Sequence, residues 1–149
     1  MTSLKLHSEP LQEAWLDAYG HLNEAYYLVP FTNATWKLQD HFGIGVPYFE
    51  ETGCALYTLQ SHLIYENEVR APADLAVESV ILDFKPKILR FGHIMSVGDK
   101  VAARFECLGL HYDTRSQRSA PFPETTLSAF QTAKLDPLPD WVGQSVGIH

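Results

Sequence analysis

The stretch Asp17-Ala18-Tyr19-Gly20-His21-Leu22-Asn23-Glu24, with the aromatic run that follows from Ala25 to Phe42, decides how the chain is read. From Asn23 onward the side chains of Tyr27, Phe31, Ala34, Leu38 and Phe42 recur at spacings of four, three, four and four. That is one face of an α-helix about five turns long. Asn23 suits its N-cap, where a short side-chain oxygen accepts one of the first N–H groups. Gly43 suits the position just past its end. Pro30 removes a backbone donor and crowds the carbonyl of Tyr26, so a kink is expected, or a short first turn followed by a second helix. A helix begun at Asn23 aims its unpaired N–H groups at the space beside Asp17, and Gly20 permits a tight turn between them. One carboxylate next to oriented donors is a geometry suited to acyl transfer.

Working outward, the residues before this stretch hold two short apolar pieces around Pro10, the first readable as a strand. Gly43 to Gly53 is rich in glycine, contains Pro47, Glu50 and Glu51, and reads as a connection. After Gly53 the period changes from helical to two. Strands are expected at about 55–66, with Tyr57, Leu59, Leu63 and Tyr65 on one face, and at 75–84, where Ala76, Val80, Leu82 and Phe84 alternate. Two more follow at 88–97 and 100–112, joined by a Gly98-Asp99 hairpin turn. Helical character returns at 124–134, and the proline-bearing remainder reads as an extended tail that Trp141 pins to the body. The pattern is α+β: a helix, then long antiparallel strands.

Bulk properties exclude several classes. The 149 residues fit one domain, and 46% hydrophobic against 19% charged residues is an ordinary globular balance. A formal charge of −7 argues against nucleic acid and against anionic membranes, both of which need clustered Lys and Arg. No apolar run approaches a membrane span, and the first residues lack a signal-peptide core. Cys54 and Cys107 have no paired spacing, which points to free thiols in a cytoplasmic protein. His62, His93 and His111 fall on separate strands and suggest no metal set. A single helix covers only part of such a sheet and leaves edge strands open, so a homodimer is expected, with pairing of dimers into a tetramer as a further step.

With these residues in hand, the chain resembles the hot-dog-fold acyl-CoA thioesterases, in the 4-hydroxybenzoyl-CoA thioesterase-like branch. Its motif runs D-x-x-G-H-x-N-N-x-x-Y-x-x-x-F-x-x-A, matched here by Asp17, Gly20, His21, Asn23, Tyr27, Phe31 and Ala34. Glu24 replaces the second Asn, and Pro30 is a departure inside the helix. The resemblance implies a long central helix wrapped by a curved antiparallel sheet over residues 1–123, with a C-terminal helix and tail at 124–149. It implies Asp17 as nucleophile or general base, and backbone N–H groups near Asn23 to Ala25 as the oxyanion donors. Asn23, Glu24 and His21 complete the candidate catalytic set. Tyr19, Gly20, Tyr26, Tyr27 and Arg90 are candidates for substrate binding, Arg90 toward coenzyme A phosphates. No metal or cofactor is implied. A second, thinner resemblance, through His111 to Arg115 and Ser119 to Pro121, is to betainyl-CoA thioesterases, whose quaternary ammonium group an aromatic box would suit. The alternatives are a hot-dog hydratase or dehydratase and a non-catalytic acyl-CoA-binding module. Read without the resemblance, Asp17 is a loop acid, Asn23 a cap and His21 a structural residue.

Overall fold

The computed structural model describes residues 3–148. Five long strands build one antiparallel sheet: β1 (Leu4–Pro10), β2 (Cys54–Tyr65), β3 (Asp74–Lys85), β4 (Ile88–Val97) and β5 (Lys100–Asp113). Their spatial order is β1-β3-β4-β5-β2, and a two-residue β6 (Arg118–Ser119) pairs with β5. Sequential hairpins generate β3 to β5. Gly98, with φ +60°, opens the β4–β5 turn in a conformation that costs other residues a backbone penalty.

The helical stretch divides as Pro30 requires. A single 3₁₀ turn covers Glu24–Tyr26, and the α-helix α1 runs Leu28–His41. Pro30 therefore falls in the first turn of α1, where its missing N–H has no intrahelical acceptor to lose. Tyr27, Phe31, Ala34 and Leu38 are buried and Phe42 packs against them at the rim, so the face read from spacing is the face that meets the sheet. Gly43 ends the helix at φ +71°.

Three expectations are corrected. The 43–53 connection carries a helix, α2 (Val46–Thr52), with Pro47 in its first turn and Gly53 in the left-handed conformation at its end. Proline just inside the start and glycine just past the end are helix boundaries as well as loop residues. In β2 a bulge between Thr58 and Gln60 breaks the alternation. Leu56 and Leu63 pack on the core, whereas Tyr57, Leu59 and Tyr65 are 44–50% exposed. In β3 the core face is Leu75, Val77, Ser79 and Ile81, and a bulge between Ile81 and Asp83 brings Phe84 back to it. One extra residue moves every later side chain to the other face.

The third helix, α3 (Glu124–Ala133), buries Phe130 against Phe42, Phe84 and Phe122. Its exit extends the sheet edge that β1 leaves uncovered, as Leu135 donates its N–H to the Ile81 carbonyl at 2.9 Å. The tail then crosses the outer face of the sheet. Trp141 lies on Gly92, where a Cβ would fall 2.5 Å from the indole ring, and Gly143 donates to Glu106 Oε1 at 2.7 Å.

Candidate active site

The Asp17 loop is a closed hairpin. Asp17 N–H donates to the His21 carbonyl at 2.9 Å, and Gly20 N–H to the Asp17 carbonyl at 3.0 Å, with Gly20 at φ +81°. Asp17 Oδ1 accepts from the N–H groups of Tyr19 at 2.8 Å and His21 at 3.2 Å. One carboxylate oxygen thus organises the turn. Among the described residues nothing donates to the other oxygen, Oδ2. The loop is docked on the segment after β2: Leu22 N–H donates to the Val69 carbonyl at 2.8 Å, and His21 forms a β-bridge with Arg70. His21 Nε2 stands 3.1 Å from Glu68 Oε2, an ion-pair distance without hydrogen-bond alignment. His21 thus ties the loop to the segment after β2.

The helix entrance follows at once. Asn23 caps it, its side chain accepting the Ala25 N–H at 3.0 Å, while Asn23 N–H donates to the Trp15 carbonyl at 3.0 Å and Tyr26 N–H to the Asn23 carbonyl at 2.9 Å. These bonds correct the expected donor set, because the Asn23 and Ala25 N–H groups are already engaged. Among the described residues the Glu24 N–H, between them, meets no acceptor. A carboxylate oxygen and an N–H at the positive end of a helix are therefore left over from the local bonding; a free N–H of this kind can stabilise a developing oxyanion, and a free carboxylate oxygen can act as a base or nucleophile.

Several aromatic rings lie at the helix entrance. Tyr26 is 40% exposed and stacks on the buried Trp15 at 6.3 Å. Tyr27 is buried, donates to the Asn67 carbonyl at 3.3 Å and meets Tyr65 edge-on at 5.0 Å. The Tyr65 hydroxyl donates to the Glu24 carbonyl at 3.1 Å. Burial raises the Tyr27 phenol above its ordinary value, and the charges of Tyr65, Glu68 and Asp17 push it further up. Tyr65 is raised by burial and then by Glu24. Glu68 escaped the sequence reading, and Tyr65, read there as a strand aromatic, was not tied to the helix entrance, because only the path of the chain after β2 brings them to a loop some 45 residues earlier.

Two expected binding residues lie differently. Tyr19 is 81% exposed and engages the site through its backbone only. Arg90 is on the outer face of β4, held to Glu106 Oε2 at 2.6 Å beside Gly143 of the tail. The single chain does not bring it to Asp17. A mainly apolar cavity, about 390 Å³, lies toward the other end of α1 between Trp36, Ile44, Phe49, Leu56 and Tyr57.

The buried histidines belong elsewhere. His93 Nδ1 and Nε2 are each 2.8 Å from a hydroxyl, those of Ser79 and Thr35. Thr35 gives its own proton to the Phe31 carbonyl at 3.0 Å, so it accepts from Nε2 and Ser79 donates to Nδ1. Burial lowers this imidazole to about 3 and keeps it neutral. His111 sits between Tyr48 and the Ala120 carbonyl. Among the described residues no group of three His, Cys, Asp or Glu side chains is placed to hold a metal.

Residues 12–130 match the family model for the thioesterase-like superfamily. The chain belongs to that superfamily. It is 30% identical to the betainyl-CoA thioesterase of Pseudomonas aeruginosa over 97% of its own length and 95% of the relative's. It is 32% identical to an Agrobacterium fabrum L-carnitine dehydrogenase/betainyl-CoA thioesterase, covering 96% of this chain but only 30% of that longer protein. Among solved structures, a Pseudomonas putida protein named as a candidate thioesterase superposes with a TM-score of 0.83 at 30% identity, covering 100% of this chain and 99% of that one. A Staphylococcus aureus protein solved in complex with CoA superposes at 0.88 with 20% identity, covering 100% of this chain and 98% of that one. The fold is the hot-dog fold, and this superfamily member is a thioester hydrolase.

Proposed function

We propose that the chain hydrolyses a small or medium acyl-CoA at the Asp17 loop, with a short quaternary-ammonium acyl group as the leading substrate. The observation that carries the reading is the pair left over by the local bonding, Asp17 Oδ2 and the Glu24 N–H. The thioester carbonyl oxygen sits on the Glu24 N–H, where the helix end stabilises the charge that develops. Asp17 either attacks the carbonyl carbon itself or takes the proton from an attacking water. In both routes the carbon–sulfur bond breaks, coenzyme A leaves as the thiol, and water supplies the oxygen of the free acid. The chain has the near-full-length betainyl-CoA thioesterase relative behind the acyl assignment, and its two free cysteines are compatible with a reducing cytoplasm.

The working unit in this reading is a homodimer joined along β2. That strand is a sheet edge carrying Tyr57, Leu59 and Tyr65 at 44–50% exposure, and Trp36 on α1 is exposed to the same degree. Tyr57 and Tyr65 are eight residues apart, about 26 Å along the strand. Antiparallel pairing of two β2 edges therefore sets the Asp17 end of one chain beside the apolar chamber of the other. Arg90, bound to Glu106, reaches coenzyme A in this arrangement only from the partner's outer face.

The test is release of free thiol from a panel of acyl-CoAs, with the acid product identified by chromatography. Hydrolysis of at least one short acyl-CoA is expected. Tight binding across the panel without thiol release would replace the hydrolase with a binding module.

A further inference from the structure

The sheet has two faces, and α1 packs on only one of them. Val80 turns away from the core set Leu75, Val77, Ser79 and Ile81, yet it is only 3% exposed. Its register partner is Gly92, and the Trp141 ring lies over that glycine. The stretch that crosses this outer face, Pro137 to Gln144, contains neither helix nor strand and is held at separate points. The Arg104 guanidinium faces the Trp141 ring from 5.9 Å. Glu106 takes the Gly143 N–H on Oε1 at 2.7 Å, while its Oε2 holds Arg90 at 2.6 Å. Between these points a space of about 330 Å³ remains, bordered by His62, Arg90, Glu106 and Gln144. Point anchors, more than continuous packing, keep this strap in place.

We propose that this strap closes the outer face of the sheet to a second copy of the chain, so that assembly stops before two sheets stack face to face. The surface beneath is suited to such a copy. Its charges interleave in sign, Arg90 with Glu106 and Arg104 with Glu66, and the apolar Val80 and Gly92 lie among them. A two-fold axis can then set each charge against its opposite, the self-complementarity that an isologous interface needs. Stacked sheets lie about 10 Å apart and fill that gap with their own side chains, which leaves no room for a strap carrying tryptophan. The strap and a second copy therefore compete for one surface. Pairing along the β2 edge runs in the plane of the sheet through main-chain groups, and it is compatible with a closed strap. The strap thus limits assembly to the dimer of the preceding section without depending on it.

Sedimentation velocity of the full chain, from about 1 to 200 µM, measures the assembly, and hydrogen exchange at 137–144 reports whether the strap is down. The wild type should keep one mass, no greater than a dimer, with the Gly143 amide protected. Two variants release the strap by different routes. Trp141→Ala removes the anchoring ring, and Gly92→Ala leaves the strap's sequence intact but sets a methyl 2.5 Å from the indole. Each should speed exchange of the Gly143 amide about tenfold or more and raise the mass about twofold at the upper concentrations. A wild type already larger than a dimer would overturn the proposal. So would a released strap with unchanged mass, or a strap that stays protected in both variants. A wild type at the mass of one chain would count against the β2 pairing alone.

Discussion

Two polar clusters in this protein use similar residues to opposite ends. The Ser79–His93–Thr35 chain lies in the core against Phe31, Phe91 and Phe105, and both imidazole nitrogens and the Thr35 hydroxyl proton are engaged. The Asp17 loop lies at the surface end of α1, and its internal bonds leave one carboxylate oxygen and one N–H over. A buried polar group without partners costs about 1–3 kcal/mol, so the core cluster has to be closed. Beside solvent the same incompleteness costs little, and in the proposed reading it gives a reacting carbonyl somewhere to bind. Completeness of hydrogen bonding, more than residue type, separates the structural histidine from the proposed catalytic carboxylate here.

Substitutions sharpen that contrast. Asp17→Asn keeps the Oδ1 acceptor that closes the loop, so melting temperature should stay near wild type while kcat falls by about 10²–10⁴. A parallel loss of folding would move Asp17 into the structural class. His93→Ala should do the reverse. It leaves Ser79 unpartnered and opens a cavity, lowering stability by about 3–5 kcal/mol in denaturant titration, with kcat/KM per folded molecule retained.

Acid provides a milder version of the same contrast. His93 is held at about 3 in the fold against an ordinary 6.5. Between those values the unfolded chain binds a proton that the folded chain does not. Its contribution to stability is therefore complete above about 6.5 and is lost as pH falls toward 3, by at most about 1.4 kcal/mol per pH unit. His111 is lowered too, chiefly by burial, and adds in the same direction. Urea titrations at stepped pH should show the slope, and His93→Gln should flatten it. The smallest effect is Asn23→Ala, which removes the cap of the first turn and should cost about 1 kcal/mol, while Asn23→Asp keeps the acceptor and most of the stability.

Much of this was legible in the chain itself. The Tyr27–Phe42 spacing marks a buried helix face because α1 packs with one stripe against a sheet, and Gly98-Asp99 marks a hairpin because the turn needs a positive φ. The Asn23 cap and the tight Gly20 turn were legible too, and both are present. The bulges at Thr58/Gln60 and Ile81/Asp83 were not legible, since nothing local announces an inserted residue, and each shifts the face of the residues that follow it. Nor was α2, whose boundary residues also suit a loop. Tyr65 and Glu68 join the site through chain path alone. The donor set could be narrowed only once the bonds of Asn23 and Ala25 were seen.

The most direct measurement removes the Glu24 N–H and nothing else. Glu24 is the first residue of the turn, Asn23 before it is extended at φ −67° and ψ 142°, and proline is tolerated at such a position. Turnover of Glu24→Pro should therefore be compared with that of Glu24→Ala on a short acyl-CoA, alongside their melting temperatures. The account predicts that both fold alike and that the proline variant is slower in kcat by about 10²–10³. Equal turnover by the two variants would contradict it.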